Sequence, residues 1–317
     1  MNCGNSCADQ SLAARRLLQL NLGLLKTDVS LADHTTYGIG GPAAIWLAPA
    51  GHHAVGRALR AMAECAVLPL VIGNGSNLLI SDMGWPGAVL HLGANLDKYS
   101  IVDDHIQAQA GLSLQALVTA AVAQGLSGLE RLAGIPGTVG GALRMNAGAF
   151  GDEIGACVVS VGGWRADGDD FELAGHEIDF GYRQAPQLSD VVITRACLRM
   201  RRAEPIALQA CMQDILRRRR ATQPLAYPSC GSVFKRPPGH FAGELIHRCG
   251  LKGQRRGGAM ISHKHAGFIV NVNHATANDV WSLIQLIEKR VRQRCGVQLE
   301  REVRLVGWFQ DRFYQEA

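Results

Sequence analysis

The segment Gly134-Ile-Pro-Gly-Thr-Val-Gly-Gly-Ala-Leu-Arg-Met-Asn-Ala-Gly148 constrains this chain more than any other. Glycines at 134, 137, 140, 141 and 148 are too dense for an ordinary helix or strand. Each gives up backbone entropy on folding, so each requires a local reason. Two reasons are available: a positive φ, or the close approach of a backbone N–H to a bound group. Successive N–H groups in such turns form an anion-binding nest. The run therefore points to a phosphate or diphosphate held by main chain, with a plain loop between two strands as the competing reading. Two more glycine-rich turns, Gly38-Ile-Gly-Gly-Pro-Ala43 and Gly73-Asn-Gly-Ser-Asn77, shift the balance. The first fits G-x-G-x-x-A only formally, because no apolar strand precedes it and Pro42 sits inside it. The second follows an apolar run but lacks the lysine of a P-loop. Together the three turns suggest several backbone nests around one large phosphorylated ligand.

A chain of 317 residues accommodates two domains or three small ones, and 47% hydrophobic with 19% charged residues argues against disorder. The net charge of +5 suits an anionic small substrate. No Lys/Arg stripe interleaved with aromatics is present, so no nucleic-acid partner is expected. No apolar run approaches the ~20 residues that span a bilayer, and Met1–Gln10 lacks the order of a signal peptide. A cytoplasmic protein with no membrane association, acting as a monomer, is the expectation. The nine cysteines include no C-x-x-C and read as thiols in a reducing compartment. Cys3 and Cys7, near a free end, make a poor metal site, and no metal is expected.

Apolar spacing predicts helices over Leu12–Leu25, around Val55, Leu59 and Met62, and from an N-cap at Ser113 through Leu114–Val122. A helix carrying Leu208, Met212 and Ile215 ends in Arg217–Arg220, where cations suit the C-terminal dipole and a solvated end explains the run. Thr276-Ala-Asn-Asp279 marks a helix start, Val280, Ile284, Ile287 and Val291 its buried stripe, and Gly296 its stop. Strands are expected at Ala44–Leu47, Leu68–Ile72, Leu78–Ile80, Ala88–Leu92, Ile101–Ala110, Cys157–Val161, Val191–Arg201, Phe268–Val272 and Val303–Trp308. The alternation of apolar residues with Arg195, Arg199 and Arg201 predicts one wet and one buried face for Val191–Arg201. The fold class is α+β. Residues 1–33 form an N-terminal helical segment and 34–202 a first domain of two subdomains divided near 95–100. Residues 203–317 form a smaller α+β domain.

Side chains suited to chemistry gather in the second half. Ser232 follows a glycine, where a turn presents its hydroxyl, although most serines in that setting are turn formers. Its surroundings are not G-x-S-x-G, so hydrolase chemistry is not indicated. In an extended strand Glu300, Glu302 and Arg304 project to one side. That is a solvated edge, or, facing a cleft, an acid and a guanidinium suited to a carboxylate. Arg183 stands beside Tyr182 in Phe180-Gly-Tyr-Arg183. His263 and His265 lack further ligands and read as surface or supporting residues.

These motifs, in order, resemble the UDP-N-acetylenolpyruvoylglucosamine reductase (MurB) family from about His34 to Gly307. The carriers are Thr35-Thr-Tyr-Gly-Ile-Gly-Gly41, Gly73-Asn-Gly-Ser-Asn-Leu78, Leu132–Ala142, Met145-Asn-Ala-Gly148 and Phe180-Gly-Tyr-Arg183. Gly231-Ser-Val-Phe-Lys235, Lys264-His-Ala-Gly-Phe268 and Glu302-Val-Arg304 complete them. The resemblance implies a vanillyl-alcohol-oxidase/PCMH-type FAD-binding domain of two subdomains plus a substrate-binding domain. Arg236–Gly243 looks like the shorter subclass, which lacks an inserted substrate loop.

The implied reaction is reduction of UDP-N-acetylenolpyruvoylglucosamine to UDP-N-acetylmuramate, with NADPH as hydride donor and dissociable FAD as carrier. By family match Ser232 is the proton donor, and Arg183 and Glu302 bind and polarise the substrate carboxylate. Tyr182, Lys235 and Arg304 are further substrate contacts. FAD would be lined by Tyr37, Gly38, Ile39, Gly40 and Gly41. Its diphosphate would be held by Gly73, Asn74, Gly75, Ser76 and Asn77, with Gly134, Ile135, Pro136, Gly137, Thr138, Gly140 and Gly141. Asn146 and Ala147 would face the flavin ring. Departures from the family pattern are Arg301 where proline is common, Arg236 where many members have asparagine, and Gln184. An FAD-dependent sugar or alcohol oxidase on the same fold is the alternative, separable by whether the sugar nucleotide or O2 reoxidises the flavin.

Overall fold

The computed structural model describes residues 7–310 and 312–316. Cys3, and the side chain of Cys7, lie outside what is described, so the expectation for that pair is not addressed. The chain folds into two compact units. One contains Met1–Thr27, Ala44–Asn74 and Gly87–Arg218, the other Asp28–Ala43, Gly75–Pro86 and Arg219–Ala317. Among the described residues no helix is long and apolar enough to cross a membrane.

The first unit has two layered halves. In one, a four-stranded sheet takes the order Gly23–Ser30, Pro42–Pro49, Trp85–His91, Pro69–Ile72. Leu17, Leu22, Ile45, Leu47, Leu90 and the apolar stripe Val55, Leu59 and Met62 of helix His52–Glu64 form its core. In the other, five antiparallel strands take the order Asp170–Ala174, Val158–Arg165, Val191–Arg199, His105–Gln109, Tyr99–Val102. Helix Leu114–Ala123 buries Leu114, Leu117, Val118, Ala121 and Val122 in that core.

Four local expectations are corrected here. The N-terminal helix is Cys7–Leu20, not Leu12–Leu25. The chain reverses through Asn21 (φ 47°) and Gly23 (φ 147°) into strand Gly23–Ser30, and a Cβ on Gly23 would lie 2.1 Å from the Ala48 carbonyl oxygen. The expected strand Ile101–Ala110 is a hairpin that turns at Asp103 (φ 54°), pairing Val102 with His105. Ser113 precedes its helix but its side chain makes no capping bond. Strand Val191–Arg199 is covered on both faces over most of its length. Val191, Ile193, Ala196 and Leu198 join the core of helix Leu114–Ala123, while Val192 packs in the core of helix His52–Glu64. A centre strand flanked by two helical layers has no wet face, and the arginine alternation survives only at half-buried Arg195 and exposed Arg199.

Helix Pro205–Thr222 closes the first core with Leu208, Met212 and Ile215. Arg217 and Arg218 face solvent and pair with Asp214, as a solvated helix end requires, whereas Arg219 is buried.

The second unit is organised by helix Ala277–Cys295. The Thr276 hydroxyl accepts from the Asp279 N–H at 3.1 Å, the Asp279 carboxylate accepts from the Thr276 N–H at 3.0 Å, and Gly296 ends the helix at φ 68°. Val280, Ile284, Ile287 and Val291 pack with Leu245, Ile246, Ile261, Ile269, Leu305 and Phe309. Burying each such side chain contributes about 1.5–3 kcal/mol. Two three-stranded sheets frame this core: Arg255–Arg256, Ala259–Ile261, Ile269–Asn271, and Arg312–Gln315, Arg304–Phe309, Leu78–Ile80. In the second sheet Arg304, Leu305 and Val306 pair in parallel with Leu78, Leu79 and Ile80. Arg301 lies over Trp281 and Tyr314 at 5.5 and 5.8 Å and bonds Glu316 at 3.3 Å, tying helix Ala277–Cys295 to the C-terminal strand.

Candidate active site

The turn after strand Pro69–Ile72 is built to present N–H groups. Among the described residues, the main-chain N–H groups of Gly73, Asn74, Gly75, Ser76 and Asn77 have no acceptor. Gly75 adopts φ 57°. Consecutive unpaired donors around a left-handed residue are what an anion nest requires. The boundary of the two units falls between Asn74 and Gly75, and each half packs within its own unit. A Cβ on Gly73 would lie 2.4 Å from Thr138 Oγ1, and one on Gly75 2.4 Å from the His34 carbonyl oxygen. Glycine is required at 73 by close approach and at 75 by both φ and space.

Gly134–Gly141 is different. Its donors are largely committed within the protein. Gly134 N–H bonds Gln115 Oε1 at 2.6 Å, Ile135 bonds Leu132 O at 3.2 Å, and Gly137 bonds Ile135 O at 3.0 Å. Val139 and Gly140 donate to the carbonyls of Leu112 and Ala110 at 2.9 and 2.8 Å, and Gly141 donates to Thr138 Oγ1 at 3.4 Å. Thr138 alone in this stretch keeps an N–H without an acceptor among the described residues, Pro136 having none. Thr138 caps the short helix Val139–Arg144 and abuts Gly73. Six of the donors that a nest over Gly134–Gly141 would need are therefore internal, and the segment serves to set Thr138 against Gly73.

Asn146 and Ala147 follow the short helix. Asn146 is fully buried at φ 40°, and its carboxamide is saturated. Nδ2 donates to Glu153 Oε2 at 2.7 Å and to the Gly181 carbonyl at 3.0 Å, while Oδ1 accepts from Gly155 N–H at 3.0 Å. Its side chain is thus committed to the protein rather than exposed to a ring. Ala147 is half-buried and exchanges main-chain bonds with Ala142 and Ile154.

The Gly181 carbonyl held by Asn146 begins a tight turn. Gly181 and Gln184 exchange both main-chain bonds, which puts Tyr182 and Arg183 at its tip. Arg183 has φ 56°, at the turn position where Gly or Asn is usual. Its guanidinium donates to the Gly148 carbonyl at 3.0 Å and lies 5.2 Å from the Tyr182 ring. A non-glycine residue held left-handed costs roughly 1–2 kcal/mol, so this arginine is positioned against local preference.

In the second unit the Tyr37 ring is fully buried, its hydroxyl donating to the Ile269 carbonyl at 3.0 Å. Burial pushes its phenol well above the ordinary range. Tyr37 therefore offers only main chain to a ligand. Gly38 N–H bonds the Thr35 carbonyl, Ile39 N–H bonds Thr35 Oγ1, and Gly41 N–H bonds the Ser81 carbonyl. Among the described residues Gly40 N–H has no acceptor.

Ser232–Lys235 and Glu300–Val303 run antiparallel. Lys235 N–H donates to the Glu300 carbonyl at 2.9 Å, Phe234 and Arg301 form a bridge, and the Val233 carbonyl accepts from both Glu302 and Val303 at 2.8 and 3.3 Å. That doubled acceptance is an irregularity, and the strand begins only at Arg304. The expected alternation of Glu300, Glu302 and Arg304 along one strand is therefore broken. Asn77 joins the turn to this pair: its Nδ2 donates to the Glu302 carbonyl at 3.0 Å and its own carbonyl accepts from Arg304 at 2.9 Å.

Ser232 is half-buried, and its hydroxyl has no partner among the described residues. Neighbouring Cys230 has its thiol pushed up to about 12 by burial, which leaves it protonated and unreactive. Lys235 ion-pairs with Glu300. His265 is half-buried rather than superficial: Nδ1 accepts from Gly267 N–H at 3.2 Å. Glycine density and motif order made the turns findable. Nothing in the sequence marked Asn146 as the group that holds the Arg183 turn, because its partners lie 7, 9 and 35 residues away.

Two family models match. Residues 43–173 match an FAD binding domain, and residues 223–306 match the UDP-N-acetylenolpyruvoylglucosamine reductase C-terminal domain. The chain is 43% identical over 285 residues to the UDP-N-acetylenolpyruvoylglucosamine reductase of Limosilactobacillus fermentum, covering 89% of this chain and 94% of that one. It is 40% identical to the reductase of Clostridioides difficile, covering 89% and 93%. The crystal structure of the Thermus caldophilus reductase superposes with a TM-score of 0.77 at 35% identity, covering 89% of this chain and 99% of that one. The fold is therefore an FAD-binding domain joined to a UDP-N-acetylenolpyruvoylglucosamine reductase C-terminal domain. On 43% identity over 89% of the chain and both domain matches, the chain belongs to the UDP-N-acetylenolpyruvoylglucosamine reductase (MurB) family, the flavin oxidoreductases that use FAD and NADPH in peptidoglycan precursor synthesis.

Proposed function

We propose that Gly73–Asn77, aided by Thr138, holds the FAD diphosphate, and that Arg183, Ser232 and Glu302 carry the chemistry on the enolpyruvyl group. The single observation that carries the catalytic part is the antiparallel pairing of the Ser232 segment with the Glu302 segment, with Asn77 bonded to both sides of Val303. Five open donors around a left-handed glycine fit a diphosphate. Gly40 N–H is a further main-chain donor of the same kind. Bound there, FAD would supply hydride transfer from NADPH to the terminal carbon of the enolpyruvyl double bond.

Ser232 supplies the proton. As hydride arrives, negative charge develops on the carbon next to the substrate carboxylate. Serine is a very weak acid, but that centre is strongly basic, so transfer from Oγ runs downhill. The unpartnered hydroxyl supports this role, since no internal acceptor has to be given up. Arg183 and Glu302 bind and polarise the carboxylate, and Arg304 and Tyr182 add contacts. Lys235 joins them by exchanging Glu300 for a substrate anion. Glu300 is largely exposed, and exposed pairs contribute only about 0–1 kcal/mol. A cytoplasmic monomer of the subclass without an inserted substrate loop completes the proposal.

The test is NADPH oxidation by FAD-loaded protein with and without UDP-N-acetylenolpyruvoylglucosamine, repeated with Ser232→Ala. Substrate-dependent turnover should fall about 10²–10⁴-fold in the variant, the range of a lost general acid, while flavin reduction by NADPH keeps its rate. Normal turnover in Ser232→Ala removes Ser232 from the role.

A further inference from the structure

Cys249 and Cys295 lie outside the motifs used above. Their sulfurs are 3.8 Å apart. Cys249 caps the helix Ala242–Arg248, and Cys295 is the last residue of the helix Ala277–Cys295. The main chain around both is ordered by bonds. Cys249 N–H donates to the Leu245 carbonyl at 3.1 Å, Arg294 Nη1 donates to the Cys249 carbonyl at 3.3 Å, and Gly296 N–H donates to the Arg292 carbonyl at 3.1 Å. Cys249 is buried, while Cys295 is only partly buried and is the one of the two that a small oxidant reaches first.

We propose that Cys249 and Cys295 form a reversible disulfide when the enzyme meets a peroxide. A disulfide sulfur pair sits at about 2.05 Å, so the two sulfurs must close by about 1.8 Å, within reach of side-chain rotation. The steps balance. The Cys295 thiol takes an oxygen from hydrogen peroxide, giving a sulfenic acid and water. The Cys249 thiol then attacks that sulfur, forming the S–S bond and releasing a second water. One peroxide is reduced and two thiols are oxidised. A dithiol reductant reverses the reaction.

Two features separate this pair from the other cysteines. The thiols already touch, so the second step is intramolecular and outruns capture by a free thiol. The guanidinium of Arg294 lies against Cys249. Burial and the neighbouring thiol hold the Cys249 thiol above its ordinary value, and Arg294 and Arg248 offset only part of that rise, so the contact between the sulfurs rather than acidity favours the pair. The bond would close a loop between residues 46 apart. It would join the C-terminal ends of two helices in the core of the second unit, restricting the unfolded chain.

The FAD-loaded 317-residue chain is treated with hydrogen peroxide, alkylated without reduction and digested with trypsin. The expected product links Cys249–Lys252 to Cys295–Arg301, tryptic peptides with one cysteine each. It should disappear on dithiothreitol treatment and in Cys295→Ser. The midpoint of thermal unfolding should rise by about 5 °C or more on oxidation of the native chain and not in Cys295→Ser. Oxidised protein in which Cys249 is still free for alkylation, or in which Cys295 is carried to a sulfinic or sulfonic acid without the linked peptide, would overturn the proposal.

Discussion

The carboxamide nitrogen of Asn146 donates to the Gly181 carbonyl at 3.0 Å, and two residues further on Arg183 is held at φ 56°. A buried amide in the first unit thereby fixes the turn that carries a candidate substrate-binding guanidinium. Replacing Asn146 by Ala leaves Gly155 N–H without its acceptor and the Glu153 carboxylate without that donor, while the Gly181 carbonyl keeps the Gln184 N–H. Each buried polar group left unsatisfied costs about 1–3 kcal/mol. The variant should lose roughly 1–3 kcal/mol of stability and turn over substrate more slowly. Urea denaturation followed by steady-state assay at low temperature checks both. An Asn146→Ala protein of wild-type stability would show that the three bonds contribute nothing.

Gly73→Ala puts a methyl 2.4 Å from Thr138 Oγ1 and 2.9 Å from its Cγ2. Both atoms belong to a side chain fixed by capping, so the strain passes into the turn and moves its open donors. FAD affinity should weaken about tenfold or more, equivalent to about 1.4 kcal/mol. Titration of apoprotein with FAD, read by flavin fluorescence, measures it. Unaltered affinity would place the diphosphate away from Gly73.

How much of this was legible in sequence differs element by element. Helix Ala277–Cys295 was readable because its signals are local: a capping box at Thr276 and Asp279, a stripe at 280, 284, 287 and 291, and a glycine stop. The glycine turns were equally visible, but not which of them keeps its donors open. That depends on Leu112, Ala110 and Gln115 bonding Gly134–Gly140, pairings set by tertiary packing. The same limit hid the buried second face of Val191–Arg199, since no local pattern reveals that helix His52–Glu64 covers it. Arg301, where proline was expected, acts through Trp281, Glu288, Tyr314 and Glu316, none adjacent in sequence.

Arg183→Lys keeps the charge but loses the planar fork. The guanidinium bonds Gly148 through Nη2 and is a planar fork matched to a carboxylate; an ammonium is a compact point charge. The value of kcat/KM for the enolpyruvyl nucleotide should drop about tenfold or more, with flavin reduction by NADPH unaffected. A lysine variant with full kcat/KM would show that only charge is needed at that turn.

Thr276→Ala removes one half of the capping box while the Asp279 carboxylate still accepts from the main-chain N–H of residue 276 at 3.0 Å and from Gly258 N–H at 3.2 Å. Loss of a threonine cap costs about 1 kcal/mol, so the unfolding midpoint should fall by a few degrees without change in FAD content. A larger loss accompanied by flavin release would mean that the cap supports more than its own helix.

Stability should depend on pH through two histidines. Burial lowers the pKa of His265, and Lys252 lowers it further; burial and then Arg195 lower that of His52. Both folded values lie below the ordinary 6.5. Between the folded value and 6.5 the unfolded chain binds more protons than the native one, so stability rises with pH across that window. The contribution is complete above about pH 6.5 and is lost as pH falls through the folded values. Urea unfolding at pH 7.5 should therefore give a higher free energy than at pH 5.5. His265→Gln keeps an acceptor for Gly267 N–H and has no proton to gain, so it should flatten the dependence. An equal slope in wild type and His265→Gln would assign the effect to other groups.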